Sequence, residues 1–258
     1  AKQILIYKAL NFNLPTFSHT PLILNSEGKK LSKRDCVTSI DEFREMGYLP
    51  EALSNYMAFL GWSPKSADRE ILSLEEISEI FDLSEINKAG AKFSWEKLNW
   101  INSQYIKNME SIKLIEIMRK YWDENGWEPP SQEWANKLAI LIRDSMTLLK
   151  DSIDQSKPFF LIPTIQKEGQ DFLENRESKL SLKLILNYLI EQNTIKLNKE
   201  KAKEIINEIS KKHNIKKGIL MKSLRVAFFG SLSGPDLIQS WELFAESKTD
   251  RTRIERCL

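Results

Sequence analysis

From residue 112 onward the apolar residues recur at helical spacing in one long stretch after another, and few folds other than helical bundles satisfy that pattern. Amphipathic runs at 112–126, 131–150, 179–194 and 198–213 each gather their apolar side chains on one face, the period of a helix packed on a core rather than of a strand. The punctuation agrees. Ser39-Ile40-Asp41-Glu42 is a capping box ahead of Phe43 and Met46, with Gly47 placed to stop that helix. Pro50 suits a first helical turn, and Leu53, Tyr56, Met57 and Leu60 follow on one face until Gly61. Ser73-Leu74-Glu75-Glu76 is a second capping box, leading Ile77, Ile80 and Phe81, and Gly234-Pro235-Asp236 opens a further helix at Leu237, Ile238, Trp241 and Leu243. Strand signals are confined to the beginning, where Leu22-Ile23-Leu24 enters the turn Asn25-Ser26-Glu27-Gly28. The segment 152–168, with Pro158, Pro163 and Phe159-Phe160-Leu161-Ile162, reads as a connector packed between two helical bundles. The expected fold class is mainly α, a mixed α/β stub followed by helices.

Composition limits the function classes. With 258 residues, 41% hydrophobic and 29% charged, the chain can bury real cores in one large domain or two to three small ones. No apolar run approaches the ~20 residues that span a bilayer, so no membrane role is expected, and the start AKQILIYKAL lacks the order of a signal peptide. Cys36 and Cys257 are isolated at opposite ends, with neither metal-ligand nor disulfide spacing. Free thiols in a reducing cytosol, and no metal site, are the expectation. The net charge of +2 is small, but its distribution is uneven. Residues 65–90 hold seven acids against three bases, whereas residues 199–225 hold nine bases against three acids. A segregated basic stretch can present a positive face to phosphates, although lysine-rich helices are as often simply solvated.

The motif with most chemical content is Lys30-Leu31-Ser32-Lys33-Arg34, directly after the first turn. Two lysines three apart, with a small hydroxyl between them, suit a mobile phosphate clamp whose ammonium groups follow charge onto a leaving pyrophosphate. Such lysine pairs are common on loops, so the motif gains meaning only from its context.

That context resembles a known family. Leu14-Pro15-Thr16-Phe17-Ser18-His19, then Pro21 through Arg34, is similar to the second ATP-binding signature of class I aminoacyl-tRNA synthetases, in the form found in glutamyl-tRNA synthetases. Three further blocks follow in that family's order: Asn55 to Ser63, ending in L-G-W; Phe93-Ser94-Trp95-Glu96-Lys97-Leu98-Asn99-Trp100-Ile101-Asn102 with Tyr105-Ile106; and Gly218 to Ala227 with Gly230 and Gly234-Pro235. The second block has Ser94 where the family usually has Asp, and a serine there still makes a helix N-cap. The family's first ATP signature and its glutamate pocket are absent, so a fragment of a longer bacterial-type enzyme is the expectation.

The resemblance implies roles by position. Residues 1–34 would end the catalytic domain of the class I dinucleotide fold, with Lys33 and Lys30 catalytic and Lys33, Lys30, Ser32 and Arg34 binding ATP. Residues 35–107 would form the stem-contact domain, and 108–165 and 166–258 the two all-helical anticodon-binding subdomains. Lys97, Lys216, Lys217, Lys222 and Arg225 are the candidate tRNA contacts, with an internal structural role equally weighted for Arg225. The parent would be cytoplasmic and monomeric, joining L-glutamate to glutamate tRNA with ATP and Mg²⁺; glutamine tRNA as a second partner stays open. This stretch alone is expected to bind tRNA, hold no cofactor tightly and not aminoacylate. A non-catalytic tRNA-binding paralogue and a helical adaptor without an RNA role are the alternatives. Trp95, Trp100, Trp122, Trp134 and Trp241 are expected mostly in cores, and His19 and His213 have no triad-like or metal-like partners.

Overall fold

The computed structural model describes residues 1–31, 39–64, 69–192 and 197–258. They form two compact units, Ala1–Phe43 with Pro50–Ile101, and Arg44–Leu49 with Asn102–Leu258. Most of the described chain is helical, as the periodicity requires.

In chain order the first unit holds α1 (Lys2–Ala9), β1 (Ile23–Leu24), α2 (Ile40–Met46, ending beyond the unit), α3 (Pro50–Phe59), α4 (Leu74–Ile80), β2 (Ala91–Lys92) and the start of α5 (Trp95–Asn108). Both capping boxes form. Ser39 N–H donates to Glu42 Oε2 at 3.0 Å while Ser39 Oγ accepts from Glu42 N–H, and Ser73 and Glu76 repeat the exchange ahead of α4. The core is built on Trp62, Leu72 and Ile77, with Phe59, Ile80 and Ile86 against them. Phe81 follows α4 and meets Trp62 edge-on, ring centroids 5.3 Å apart. Buried Asn55 donates to the Glu70 carbonyl and accepts from Leu72 N–H, both at 3.1 Å, which fixes the approach to α4.

The expected strand at 22–24 has a partner that was not expected. β1 and β2 pair in parallel, Ile23 opposite Ala91 and Leu24 opposite Lys92. A two-residue strand carries no alternation to read. It forms where Gly90 lets the backbone approach Leu24, whose Cδ1 would lie 2.6 Å from a Cβ at that position.

The second unit takes the rest of α5 and then α6 (Ser111–Glu124), α7 (Gln132–Arg143), α8 (Asp151–Phe160), α9 (Lys167–Leu173), α10 (Arg176–Glu191), α11 (Lys199–His213), α12 (Lys217–Phe229), α13 (Leu237–Glu246) and α14 (Asp250–Glu255). Two expectations need correction. The run at 131–150 stops being helical at Arg143, because Asp151 Oδ2 accepts from Thr147 and Leu148 N–H, both at 2.8 Å, and turns the chain. The supposed connector at 152–168 is helical through Phe160. Pro158 sits in the last turn of α8, where a missing N–H removes only one bond. The two residues after it then bind the unit together. Phe160 lies against Trp122, Trp127 and Trp134 at 5.2–5.4 Å, while Phe159 stacks on Phe244 at 5.0 Å and meets Phe229 at 5.8 Å.

Polar ties complete the packing. Trp134 Nε1 donates to the Leu243 carbonyl at 2.9 Å, and Lys137 reaches Glu242 and Glu246 across α7 and α13. The hydrogen bond to Glu246 dominates and holds the Lys137 ammonium above the ordinary lysine range. Asn102 Oδ1 accepts from Leu49 N–H at 2.8 Å and Nδ2 donates to the Thr147 carbonyl at 2.6 Å, so the last Asn of the second family block is a buried structural tie. Gly47, at φ +95°, approaches the Lys150 amide so closely that a Cβ would meet it at 2.8 Å.

The least expected residue is Arg253, whose side chain is fully buried with no carboxylate paired to it among the described residues. It donates to the Phe228 carbonyl at 3.1 Å, the Leu161 carbonyl at 3.2 Å and Thr249 Oγ1 at 3.2 Å, and its guanidinium lies 4.2 Å from the Phe244 ring centroid. Burial, then the neighbouring Arg256 charge, pulls it down to about 10. Arg256 adds bonds to the Ala227 carbonyl at 3.3 Å and to the Pro163 carbonyl. Carbonyls at the end of α12 and in the segment just after α8 thus accept from cations, and for α12 this suits a helix C-terminus. Replacing Arg253 with Met should lower stability by ~2–4 kcal/mol, because buried carbonyls lose their donors. Urea unfolding checks this, and a loss below ~1 kcal/mol would show that the carbonyls find other partners.

Candidate nucleic-acid interface

The base of the lysine loop is fixed by the hairpin before it. Asn25 Oδ1 accepts from Glu27 and Lys29 N–H at 3.1 and 2.9 Å, an Asx turn, and Gly28 takes φ +81°. Asn25 N–H then bonds to the Lys29 carbonyl at 2.8 Å and Leu31 N–H to the Ile23 carbonyl at 2.9 Å. Lys30 is therefore anchored opposite Leu24 with its side chain exposed. Ser32, Lys33 and Arg34 lie outside the described residues, as does Cys36. An exposed ammonium on a rigid hairpin end fits a polyphosphate, and among the described residues no group of His, Cys, Asp or Glu is placed to hold a metal ion.

Five of the nine bases of the basic stretch lie on α11, and the other four lie at the start of α12 and along it. Asn214 ends α11 in the left-handed region at φ 52°, its N–H reaching the Ser210 carbonyl. Buried Ile215 pins the turn, with Ser210 Oγ donating to its carbonyl at 2.7 Å. Lys216 is the N-cap of α12, and no side chain caps that end. The buried face of α12 includes Leu220, Ser223, Leu224, Ala227 and Phe228. The opposite face shows Lys217, Gly218, Met221 and Lys222 to solvent. Among the described residues, Lys216, Lys217 and Lys222 form no ion pair. Their charges add to the positive end of the helix dipole, an arrangement that attracts phosphate.

Arg225 continues the row Lys217–Met221 at helical spacing, but its Nη1 donates to the Gly234 and Pro235 carbonyls at 2.7 and 3.1 Å. The guanidinium shapes the loop that follows α12. Gly230 closes the helix at φ +71°, where a Cβ would lie 2.2 Å from the Thr164 carbonyl oxygen.

Lys97 lies apart from these, in the first unit. Ser94 Oγ accepts from Lys97 N–H at 3.2 Å and so caps α5, while Ser94 N–H donates to Tyr56 Oη at 2.7 Å. The position that usually carries Asp thus serves as a cap. Lys97 Nζ pairs with the Glu70 carboxylate. Together with Arg69, Lys92 and Ser94 it lines a cleft of about 450 Å³. Of the tryptophans expected in cores, Trp122, Trp134 and Trp241 are fully buried and Trp95 is half-buried, but Trp100 is exposed. Arg253 and Arg256, which hold the end of α12, carried no sequence signal that separates them from surface arginines.

Comparison with known proteins gives consistent matches. A family model described as tRNA synthetases class I (E and Q), catalytic domain, matches residues 1–100, and one described as anticodon binding domain matches residues 113–258. A protein called glutamate–tRNA ligase from Prochlorococcus marinus (strain AS9601) is 98% identical over all of this chain and 54% of its own length. The protein of that name from strain NATL2A is 52% identical with the same coverage. The crystal structure of a glutamate tRNA ligase from Elizabethkingia meningosepticum in complex with its amino acid superposes with a TM-score of 0.88 at 32% identity, covering 99% of this chain and 54% of that one. The chain spans about half the length of the curated relatives it matches.

If Ser94 is a cap, Ser94→Ala should cost ~1 kcal/mol and Ser94→Asp should stay within ~0.5 kcal/mol of the wild type in urea unfolding. A larger loss in the Asp variant would mean that the hydroxyl serves another purpose.

Proposed function

Because the chain belongs to the glutamyl-tRNA synthetase family, we propose that it is the tRNA-gripping part of a glutamate–tRNA ligase. The observation that carries this reading is the exposed lysine face at the start of α12, without ion pairs among the described residues and within the stretch that matches the anticodon-binding family. Lys216, Lys217 and Lys222 take phosphates there, and Arg225 positions the loop at Gly234 and Pro235 beside unpaired bases. Residues 108–165 and 166–258 serve as the two anticodon-binding subdomains and 35–107 as the stem-contact domain, with Lys97 as its tRNA contact.

Residues 1–34 carry the end of the nucleotide site. In the parent, ATP with Mg²⁺ would be held with the help of Lys30, Ser32, Lys33 and Arg34, and the parent would join L-glutamate to its tRNA through an adenylate in the cytoplasm, as a monomer. The exposed apolar side chains of Leu5, Ile6, Leu10, Phe12 and Phe17 support a parent in which further polypeptide covers this surface. Whether glutamine tRNA is also a substrate depends on contacts to the third anticodon base.

Binding of this chain to glutamate tRNA, an anticodon-swapped version and an unrelated tRNA over a salt series tests the reading. Affinity should fall steeply with salt, and each altered anticodon base should cost ~1–3 kcal/mol. Exchanging Lys216 and Lys217 for Gln should flatten the salt slope by about two. Equal affinity for all three RNAs would leave only a general phosphate grip, and no binding at low salt would favour a helical adaptor. The chain by itself should show no glutamate-dependent ATP–pyrophosphate exchange; measurable exchange would contradict that part.

A further inference from the structure

The first unit carries an apolar groove that its own core does not fill. Met57 and Ala58 of α3, Pro21 and Ile23 at β1, and Phe81 and Ile86 beyond α4 line a cavity of about 290 Å³, and its lining among the described residues includes no charged side chain. Backbone bonds fix its sides. Trp62 bridges to Ile86, Asn87 N–H donates to the Gly61 carbonyl at 2.9 Å, and Ala91 N–H donates to the Leu22 carbonyl at 3.0 Å. The groove is thus formed before anything enters it, which spares an occupant the cost of ordering it. Yet Met57 and Phe81 are 43% and 46% exposed, and Leu83, two residues on, is 62% exposed. Contiguous apolar surface of this kind marks interaction sites, and a methionine lets one adapt to what it meets.

The charge beside the groove says what fits it. Residues 74–87 hold five acids (Glu75, Glu76, Glu79, Asp82 and Glu85) and no base. Asp82 and Glu85 directly flank the lining residues Phe81 and Ile86. The Asp82 carboxylate accepts from Ser84 N–H at 2.8 Å, and that bond holds it below the ordinary carboxylate range. Such a rim repels phosphate, so neither nucleic acid nor an anionic membrane surface suits it. A cation carried beside apolar side chains does suit it. We propose that this groove docks a basic amphipathic segment of a partner protein, its apolar side chains entering between α3 and residues 81–86 and its lysines or arginines meeting Asp82 and Glu85. The inference does not rest on the tRNA-binding reading above.

The test titrates this chain into a fluorescein-labelled amphipathic peptide of leucine and lysine, and into its leucine–glutamate counterpart, by fluorescence anisotropy. Urea midpoints confirm that each variant folds. The lysine peptide should bind roughly tenfold more tightly than the glutamate peptide. Met57→Lys should weaken it about tenfold, whereas Met57→Leu should stay within about twofold of the wild type. Asp82→Asn combined with Glu85→Gln should weaken it about three- to tenfold, a difference that salt removes. Glu116→Gln, an exposed acid of α6, should change little. If Met57→Lys binds the lysine peptide as tightly as the wild type, the groove is not its site and the inference falls. Equal affinity for the two peptides would overturn the charge preference. Binding by this chain but not by the longer parent would show that the parent's own polypeptide covers the groove, which also overturns the proposal. Without peptide binding, attachment to phosphatidylcholine vesicles or self-association that Met57→Lys abolishes would put a membrane or a second copy in the partner's place. A chain that binds no tRNA but shows the expected peptide results would overturn the tRNA reading and leave this inference standing.

Discussion

The second unit depends on how the carbonyls at the end of α12 and just after α8 are satisfied, and two neighbouring arginines share that task. Arg253 reaches the Phe228 and Leu161 carbonyls and lies over Phe244, and Arg256 takes Ala227 and Pro163 beside it. Burying an arginine without a carboxylate is expensive unless every donor finds an acceptor. Here the end of α12 and the segment after α8 supply acceptors, and the dipole of α12 adds negative charge at its end. Beside them the aromatic pair Phe159–Phe160 packs in two directions, Phe159 on Phe244 and Phe160 on Trp127.

The opposite end of α12 shows the reverse economy. Its C-terminus is held by cations, whereas its N-cap Lys216 makes no side-chain cap bond and lies among lysines that form no ion pairs among the described residues. One helix thus offers its buried half to the core and its positive half to solvent. In the first unit Arg69 and Lys97 of the cleft are instead held by carboxylates. Charge is arranged differently in the two places although the net charge is only +2. The small total conceals one helix face of exposed lysines and a cleft in which two cations are paired with carboxylates.

Much of this could be read from the residues alone, for identifiable reasons. Capping boxes are local, so Ser39–Glu42 and Ser73–Glu76 were legible, as were the stops at Gly47 and Gly61 and the cap at Asp236. The Asn25–Gly28 turn was legible because Asn and Gly are chosen for their own backbone geometry. What was not legible depends on partners distant in sequence. Pro158 suggested a connector because it breaks helices in general, and only the last-turn position and the packing of Phe159 and Phe160 make it compatible with one. β2 exists because of Leu24, some seventy residues earlier. Trp100 looked like core because it falls at helical spacing, and nothing local shows that its face of α5 is open. In the candidate site the lysines of α12 were found through charge clustering and family resemblance, while the hydrogen bonds of Arg225 to Gly234 and Pro235 required coordinates.

The central claim, that the exposed face of α12 meets tRNA, is tested most directly by hydroxyl-radical footprinting with Met221 as reporter. Met221 is 37% exposed between Lys217 and Arg225, and its thioether oxidises readily when solvent reaches it. The account predicts that saturating glutamate tRNA strongly suppresses Met221 oxidation. Unchanged oxidation with the tRNA fully bound would place the RNA elsewhere and contradict it.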